Sequence, residues 1–236
     1  MASLYFRQFL SGRDFAASDP VAAQMRNHAY AVGDEDSRQV LLVDPAYAVG
    51  ELVGLVGAEG MEVVGVLATH HHFDHVGGQI SGHHVEGIAE LLEAVDVPVH
   101  AQRTELRRIE EATGVPASSL VAHDGGDVVG VGGVEVRLLH TPGHTAGSQC
   151  FLVGSLLVSG DTLFLDGCGR MDSDDGDPAA MYRSLRRLAE LPDDTVVAPG
   201  HRYSPEPSAT ISVVRASNVV YGPPTEEAWI AAFGRA

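Results

Sequence analysis

Residues 69–75 read Thr-His-His-His-Phe-Asp-His, and within them His70, His72, Asp74 and His75 form the pattern H-x-H-x-D-H. Imidazole nitrogens and carboxylate oxygens are ligands for Zn, Fe or Mn. Residues 70 and 72 alternate, so from an extended backbone both side chains can reach one ion. Residues 74 and 75 can turn the chain and face a second ion beside the first. At this composition, three His and one Asp in these fixed places arise by chance about once in 100,000 positions. A histidine tag would sit at a terminus, whereas this stretch follows the apolar run 63–68. The pattern is therefore read as a metal site at the end of a buried strand, where function concentrates.

Three further donors stand in similar settings. His144 lies in Thr-Pro-Gly-His-Thr-Ala-Gly-Ser (141–148), Asp161 in Gly-Asp-Thr-Leu-Phe (160–164), and His201 in Pro-Gly-His (199–201). Each follows a short apolar run and is preceded by glycine, which lets the backbone turn sharply. A lone histidine is usually structural. Together with the first motif, however, these make five His and two Asp at strand ends.

The elements that must carry these residues can be read from short Val- and Leu-rich runs. Strands are expected at 29–32, 40–43, 63–68, 97–100, 134–139, 149–153, 156–159 and 195–198. Helical spacing marks 50–59, 85–95 (with His83 and His84 opening that helix), 103–112 and 178–191. The last begins Asp177-Pro178, a good cap followed by proline at the first helical position. The span 127–159 reads as hairpins turning at Gly132-Gly133 and Gly154-Ser155. Strands and helices interleave, but consecutive strands also occur, which favours an α/β sandwich of two mixed sheets over a simple doubly wound fold. The length fits a single domain, 1–236.

Composition narrows the function. The chain has 236 residues, 44% hydrophobic and 20% charged, with a net charge of −17. Such acidity disfavours nucleic acid and anionic lipid as partners, so an anionic substrate would need locally placed cations. Two cysteines, Cys150 and Cys168, are no disulfide framework and are read as thiols in a reducing compartment. Residues 1–15 lack a charged region followed by an apolar core, and no stretch reaches the length of a membrane span. A cytoplasmic protein, monomeric or homodimeric, is expected.

The motifs Leu42-Val43-Asp44-Pro45, THHHFDHVGG, TPGHTAGS, SGDTLF and PGH resemble the metallo-β-lactamase fold superfamily over roughly residues 25–205. The resemblance implies an αββα four-layer sandwich with two mixed β-sheets and metals at one edge. Carried over by position, His70, His72 and His144 hold the first ion, Asp74, His75 and His201 hold the second, and Asp161 bridges them. Asp74 and Asp161 are then the catalytic carboxylates, and Asp44 a supporting residue rather than a ligand. The implied cofactors are two divalent metal ions, Zn first, with Fe or Mn as alternatives. Two such ions lower the pKa of a shared water towards about 7, giving hydroxide for attack on a carbonyl carbon.

Within the superfamily, Gly160–Phe164, Gly167-Cys168-Gly169-Arg170 and Met181-Tyr182 are most similar to glyoxalase II, the hydroxyacylglutathione hydrolases. That branch implies a small-molecule thioester substrate, with Arg170 as an anchor for the thiol carrier. A surface ion pair to the acidic run 172–177 accounts for Arg170 nearly as well. Glyoxalase II carries a long helical C-terminal region, yet only 236 − 201 = 35 residues follow His201 here. That shorter ending resembles the persulfide dioxygenases, which use one iron on positions matching His70, His144 and Asp161. Lactonases share the whole ligand set. Many true metallo-β-lactamases lack the bridging Asp, and flavodiiron proteins have Glu in place of His72. Outside the motifs, His71 is expected to point away from the metals. His28, His100, His123 and His140 are expected to be structural, and Cys168 to pack in its glycine loop.

Overall fold

In the computed structural model, which describes residues 2–234, the chain divides into two compact units. The first runs up to Asp124 and includes Val128–Val136; the second comprises Gly125–Asp127 and everything from Arg137 onwards.

The first unit contains strands β1 (Leu4–Leu10), β2 (His28–Asp34), β3 (Gln39–Val43), β4 (Glu62–Leu67), β5 (Gly78–Ile80), β6 (His83–Val85), β7 (Val99–Gln102), β8 (Leu120–His123) and β9 (Val128–Val131). Its helices are α1 (Pro20–Met25), α2 (Val49–Ala58), α3 (Phe73–Val76), α4 (Ile88–Ala94) and α5 (Leu106–Thr113). The main sheet has the order β1-β2-β3-β4-β7-β8. β1, β2 and β3 pair antiparallel, whereas β3, β4, β7 and β8 run parallel. Parallel neighbours need crossovers, which α2, α4 and α5 provide. These helices bury Leu52, Val56, Ile88, Leu91 and Ile109 in one core with Val40, Leu42, Val66 and Val99 from the strands.

The second unit takes over β10 (Val134–His140) from Arg137 and adds β11 (Gln149–Val153), β12 (Leu156–Gly160), β13 (Val196–Pro199) and β14 (Ala209–Thr210). The strands lie in the order β14-β13-β12-β11-β10. β12 and β13 are parallel and the other pairs antiparallel, so this sheet is mixed too. The crossover from β12 to β13 contains α6 (Pro178–Leu188), which starts as the sequence indicates: Asp177 accepts from the Ala179 and Ala180 amides, with Pro178 in the first turn. α7 (Ile211–Ser217) and α8 (Glu226–Phe233) complete the unit. Met181, Leu185 and Leu188 pack with Leu157, Val197 and Trp229.

The two mixed sheets and the expected strands are present, with ends displaced by one or two residues. Two helices are displaced further at one end: the one expected at 103–112 starts at Leu106, and the one expected at 178–191 ends at Leu188. One expectation changes the type of element. His83 and His84 do not open a helix; they lie in β6, paired with β5. Ser81 and Gly82 both take positive φ (49° and 80°), the backbone of a two-residue hairpin turn. The following helix therefore starts at Ile88, three residues later than expected. Elements beyond the sequence reading are β1, β5, β6, β8, β14, α1, α3 and the helical ending α7–α8, which is anchored by fully buried Trp229 through Nε1 to the Val220 carbonyl (2.9 Å). Among the described residues no helix is long and apolar enough to cross a membrane.

Candidate metal centre

The first unit gathers one donor cluster. β4 delivers the chain to Thr69, residues 70–72 are irregular, and α3 begins at Phe73. Asp74 and His75 sit on α3, so the chain turns where the spacing suggested. The His70 ring centroid lies 4.6 Å from that of His72 and 4.3 Å from that of His75. Asp74 Oδ2 is 3.7 Å from His75 Nε2. His70, Asp74 and His75 are buried and His72 is half-buried.

Asp44 orders this cluster from below. Its Oδ1 accepts the Thr69 amide (2.7 Å), and its Oδ2 accepts both the Thr69 hydroxyl (2.6 Å) and His75 Nδ1–H (2.8 Å). Because the Thr69 hydroxyl proton is given to Asp44, its oxygen is left to accept from His70 Nδ1–H at 3.0 Å. Asp44 takes φ 50° and Tyr47 φ 70°. Left-handed backbone at non-glycine residues costs of order 1–3 kcal/mol and collects at functional sites. Here it aims the Asp44 carboxylate at two histidine-bearing segments.

The second unit gathers another cluster, at the ends of β10, β12 and β13. His144 Nε2 stands 3.7 Å and His201 Nε2 3.3 Å from Asp161 Oδ2, all three residues being buried. Gly143 (φ 146°) and Gly160 (φ 49°) make the turns before His144 and Asp161. The strap 167–170 closes over this cluster. The Gly169 amide donates to the Asp161 carbonyl (2.8 Å), and His144 Nδ1–H donates to the Arg170 carbonyl (2.6 Å). A Cβ on Gly169 would lie 2.2 Å from the Asp161 carbonyl oxygen and 2.8 Å from His144 Nδ1, so only glycine fits. His201 stacks on exposed Tyr203, with centroids 4.8 Å apart and planes 7° from parallel. Phe164 meets both rings edge-on.

The donor chemistry of the clusters fits divalent metal. His70, His75 and His144 each spend Nδ1–H on a protein acceptor, so each Nε2 carries a lone pair. That division of the two ring nitrogens is how proteins orient metal-binding histidines. No cysteine thiol stands among the donors. Burial pushes the Cys150 thiol up to about 11 and the Cys168 thiol up to about 12, which removes both as thiolate nucleophiles at neutral pH.

Other residues singled out in the sequence fall as follows. His71 Nδ1 meets buried Glu105 at 2.6 Å, a partner of its own. Arg170 is exposed and its Nε lies 3.5 Å from Asp172 Oδ1, the surface ion pair. His100 bonds His123 (2.9 Å), and His140 Nε2 meets the Ala146 carbonyl (3.0 Å). Sequence reasoning missed Asn27, which reaches Asp74 from a distant segment, and Tyr47, whose hydroxyl holds Asn27. The signal within reach was a lone Asn just before a strand, too common to stand out.

The fold and the two clusters define the class. Residues 25–201 match the family described as the metallo-β-lactamase superfamily, which is more than half of the chain and crosses both units. The chain belongs to the metallo-β-lactamase superfamily and has its α/β fold. It is 37% identical over 178 residues to a hydroxyacylglutathione hydrolase of Xanthomonas campestris pv. campestris, covering 75% of this chain and 62% of that protein. The match thus spans about three fifths of the length of that relative. Among solved structures, ETHE1 from Myxococcus xanthus is 29% identical with a TM-score of 0.77, covering 96% of this chain and 88% of that one. TTHA1623, solved in a di-iron-bound form, is 30% identical with a TM-score of 0.69, covering 83% of this chain and 95% of that one.

Proposed function

We propose that the chain is a dinuclear metal-dependent hydrolase acting on a thioester, of the hydroxyacylglutathione hydrolase type. The observation that carries this reading is the orientation of three buried histidines, each tied through Nδ1 and presenting Nε2. His70, His72 and His144 would hold one ion, Asp74, His75 and His201 the other, and Asp161 would serve as a donor to both. The ions are zinc, iron or manganese; the di-iron-bound relative supports a two-metal reading. When bound, the pair supplies Lewis acidity and a water acidic enough to act as nucleophile near neutral pH. The chain's own residues set the rest. Asp74 and Asp161 offer carboxylate oxygens at the two donor clusters, where each can hold an ion. Exposed Arg170 offers a guanidinium for a carboxylate of the thiol carrier, as a cation the acidic chain otherwise supplies sparingly. A thiolate is a good enough leaving group to depart without a separate general acid. Both units act as one domain in a cytoplasmic protein, monomeric or homodimeric, whose two thiols suit that reducing compartment.

The test combines metal analysis with hydrolysis of S-lactoylglutathione. Two metals per chain, turnover without oxygen uptake, and joint loss of metal and turnover in His70→Ala and Asp161→Ala are expected. Full thioesterase activity in Asp161→Ala or in the metal-stripped protein would sink the reading. A second reading, an iron persulfide dioxygenase using His70, His144 and Asp161, rests on the likeness to ETHE1 from Myxococcus xanthus. One iron per chain with oxygen uptake on glutathione persulfide would select it.

A further inference from the structure

We infer that Asn27, held by Tyr47, is a positioning residue that orients Asp74 for the second metal ion. The inference deepens the proposed two-metal site and rests on that reading. Asn27 stands between α1 and β2 and is buried, as are Tyr47, Asp74 and His75. Its amide nitrogen lies 3.1 Å from Asp74 Oδ2 and 3.4 Å from His75 Nε2. Its amide oxygen accepts from the Tyr47 hydroxyl at 3.2 Å.

The orientation of the amide follows from its neighbours. A carboxylate can only accept, so the NH2 end of Asn27 must face Asp74 and its oxygen must face Tyr47. His75 Nδ1–H is committed to Asp44, so Nε2 carries a lone pair and can likewise only accept. Of the two contacts, the one to Asp74 Oδ2 is compatible with a bound ion, because coordination would take the single Nε2 lone pair of His75. Pinning Oδ2 of Asp74 restricts rotation of that carboxylate about its Cβ–Cγ bond. Pinning the amide in turn is the task of Tyr47, whose left-handed backbone (φ 70°) turns its side chain into this buried position. The Tyr47 amide is itself fixed to the Glu86 carbonyl at 2.7 Å. The order Tyr47, Asn27, Asp74 is thus a relay of hydrogen bonds that ends on the carboxylate of a candidate ligand. Supporting bonds of this kind set metal affinity by fixing ligand orientation.

Metal affinity is the readout, since a residue that served packing alone would not move it. Zinc content after dialysis and zinc dissociation constants from competition with a chelator are measured for wild type, Asn27→Ala, Tyr47→Phe and Tyr30→Phe. Tyr30→Phe removes a hydroxyl that meets Gln8 in the same unit and serves as the control. Asn27→Ala should retain one zinc and weaken the second about 10- to 100-fold. Tyr47→Phe, which keeps the ring in place, should weaken the second ion several-fold and leave the first unchanged, with Tyr30→Phe behaving as wild type. Two zinc ions of wild-type affinity in both Asn27→Ala and Tyr47→Phe would overturn the inference while leaving the two-metal site standing. If Asn27→Ala does not fold, Tyr47→Phe alone decides. Fewer than two zinc ions in the wild type would overturn both the inference and the reading beneath it.

Discussion

Asp44 shows how one residue can govern a donor set without belonging to it. Three hydrogen bonds converge on its carboxylate, from the Thr69 amide, the Thr69 hydroxyl and His75 Nδ1. Its φ of 50° is one that Asn tolerates and Ala resists. The two substitutions therefore separate two effects. Asp44→Asn keeps the backbone and removes the charge, and should lower zinc affinity about 10- to 100-fold with a small change in stability. Asp44→Ala adds the strained backbone and leaves buried donors without an acceptor, and should destabilise the protein by a further ~1–3 kcal/mol. Zinc titration and urea denaturation of the metal-free proteins check the pair. Equal zinc affinity in wild type and Asp44→Asn would show that the carboxylate only supports the fold.

Among the elements, the strap 167–170 contributes backbone rather than side chains to the second cluster. Two of its groups, the Gly169 amide and the Arg170 carbonyl, hold Asp161 and His144. Gly169→Ala would force a methyl against the Asp161 carbonyl and the His144 ring. Overpacking of this kind costs about 1–3 kcal/mol, and a misplaced ligand of about 1 Å can cost on the order of 100-fold in rate. Thioester turnover and metal content of Gly169→Ala, set beside Gly167→Ala, should show the larger loss at 169 in both. Wild-type turnover in Gly169→Ala would remove the strap from the account. The hairpin β5–β6 carries a different lesson. Its turn, Ser81-Gly82, is a recognisable two-residue signal, yet Ile88, Leu91, Leu92 and Val95 downstream have helical spacing that drew the helix boundary too early. Strand pairing outweighed periodicity there, because the turn at 81–82 commits residues 83–85 to pair with 78–80.

For the molecule as a whole, acid should weaken the fold through His100. Burial, with His123 beside it, lowers this imidazole from 6.5 to about 4. Between those values the unfolded chain takes up a proton that the folded chain refuses. Stability from this group is therefore complete above about pH 6.5 and is lost progressively as pH falls towards 4. Denaturation midpoints of the metal-free protein between pH 7.5 and 4.5 should fall more steeply for wild type than for His100→Gln. Identical slopes would assign the acid sensitivity to other groups.

Much of this protein was legible in its order of residues. The ligand types, the turn at Asp74-His75 and the two mixed sheets follow from short-range patterns, because the first four donors lie within six residues and glycine marks the later turns. Superfamily membership follows from the same motifs. Which nitrogen of each histidine carries a lone pair was not legible. That choice depends on what the other nitrogen meets, and the partners come from far along the chain: Asp44 lies 31 residues from His75, and Arg170 lies 26 from His144. Asn27 reaches Asp74 across 47 residues. A hydrogen bond needs two groups within about 3 Å, and separations of that kind are brought together only by the packing of strands and loops within each unit. The sequence by itself determined the candidate donors; tertiary structure decided their orientation, and with it which ring nitrogens carry a lone pair.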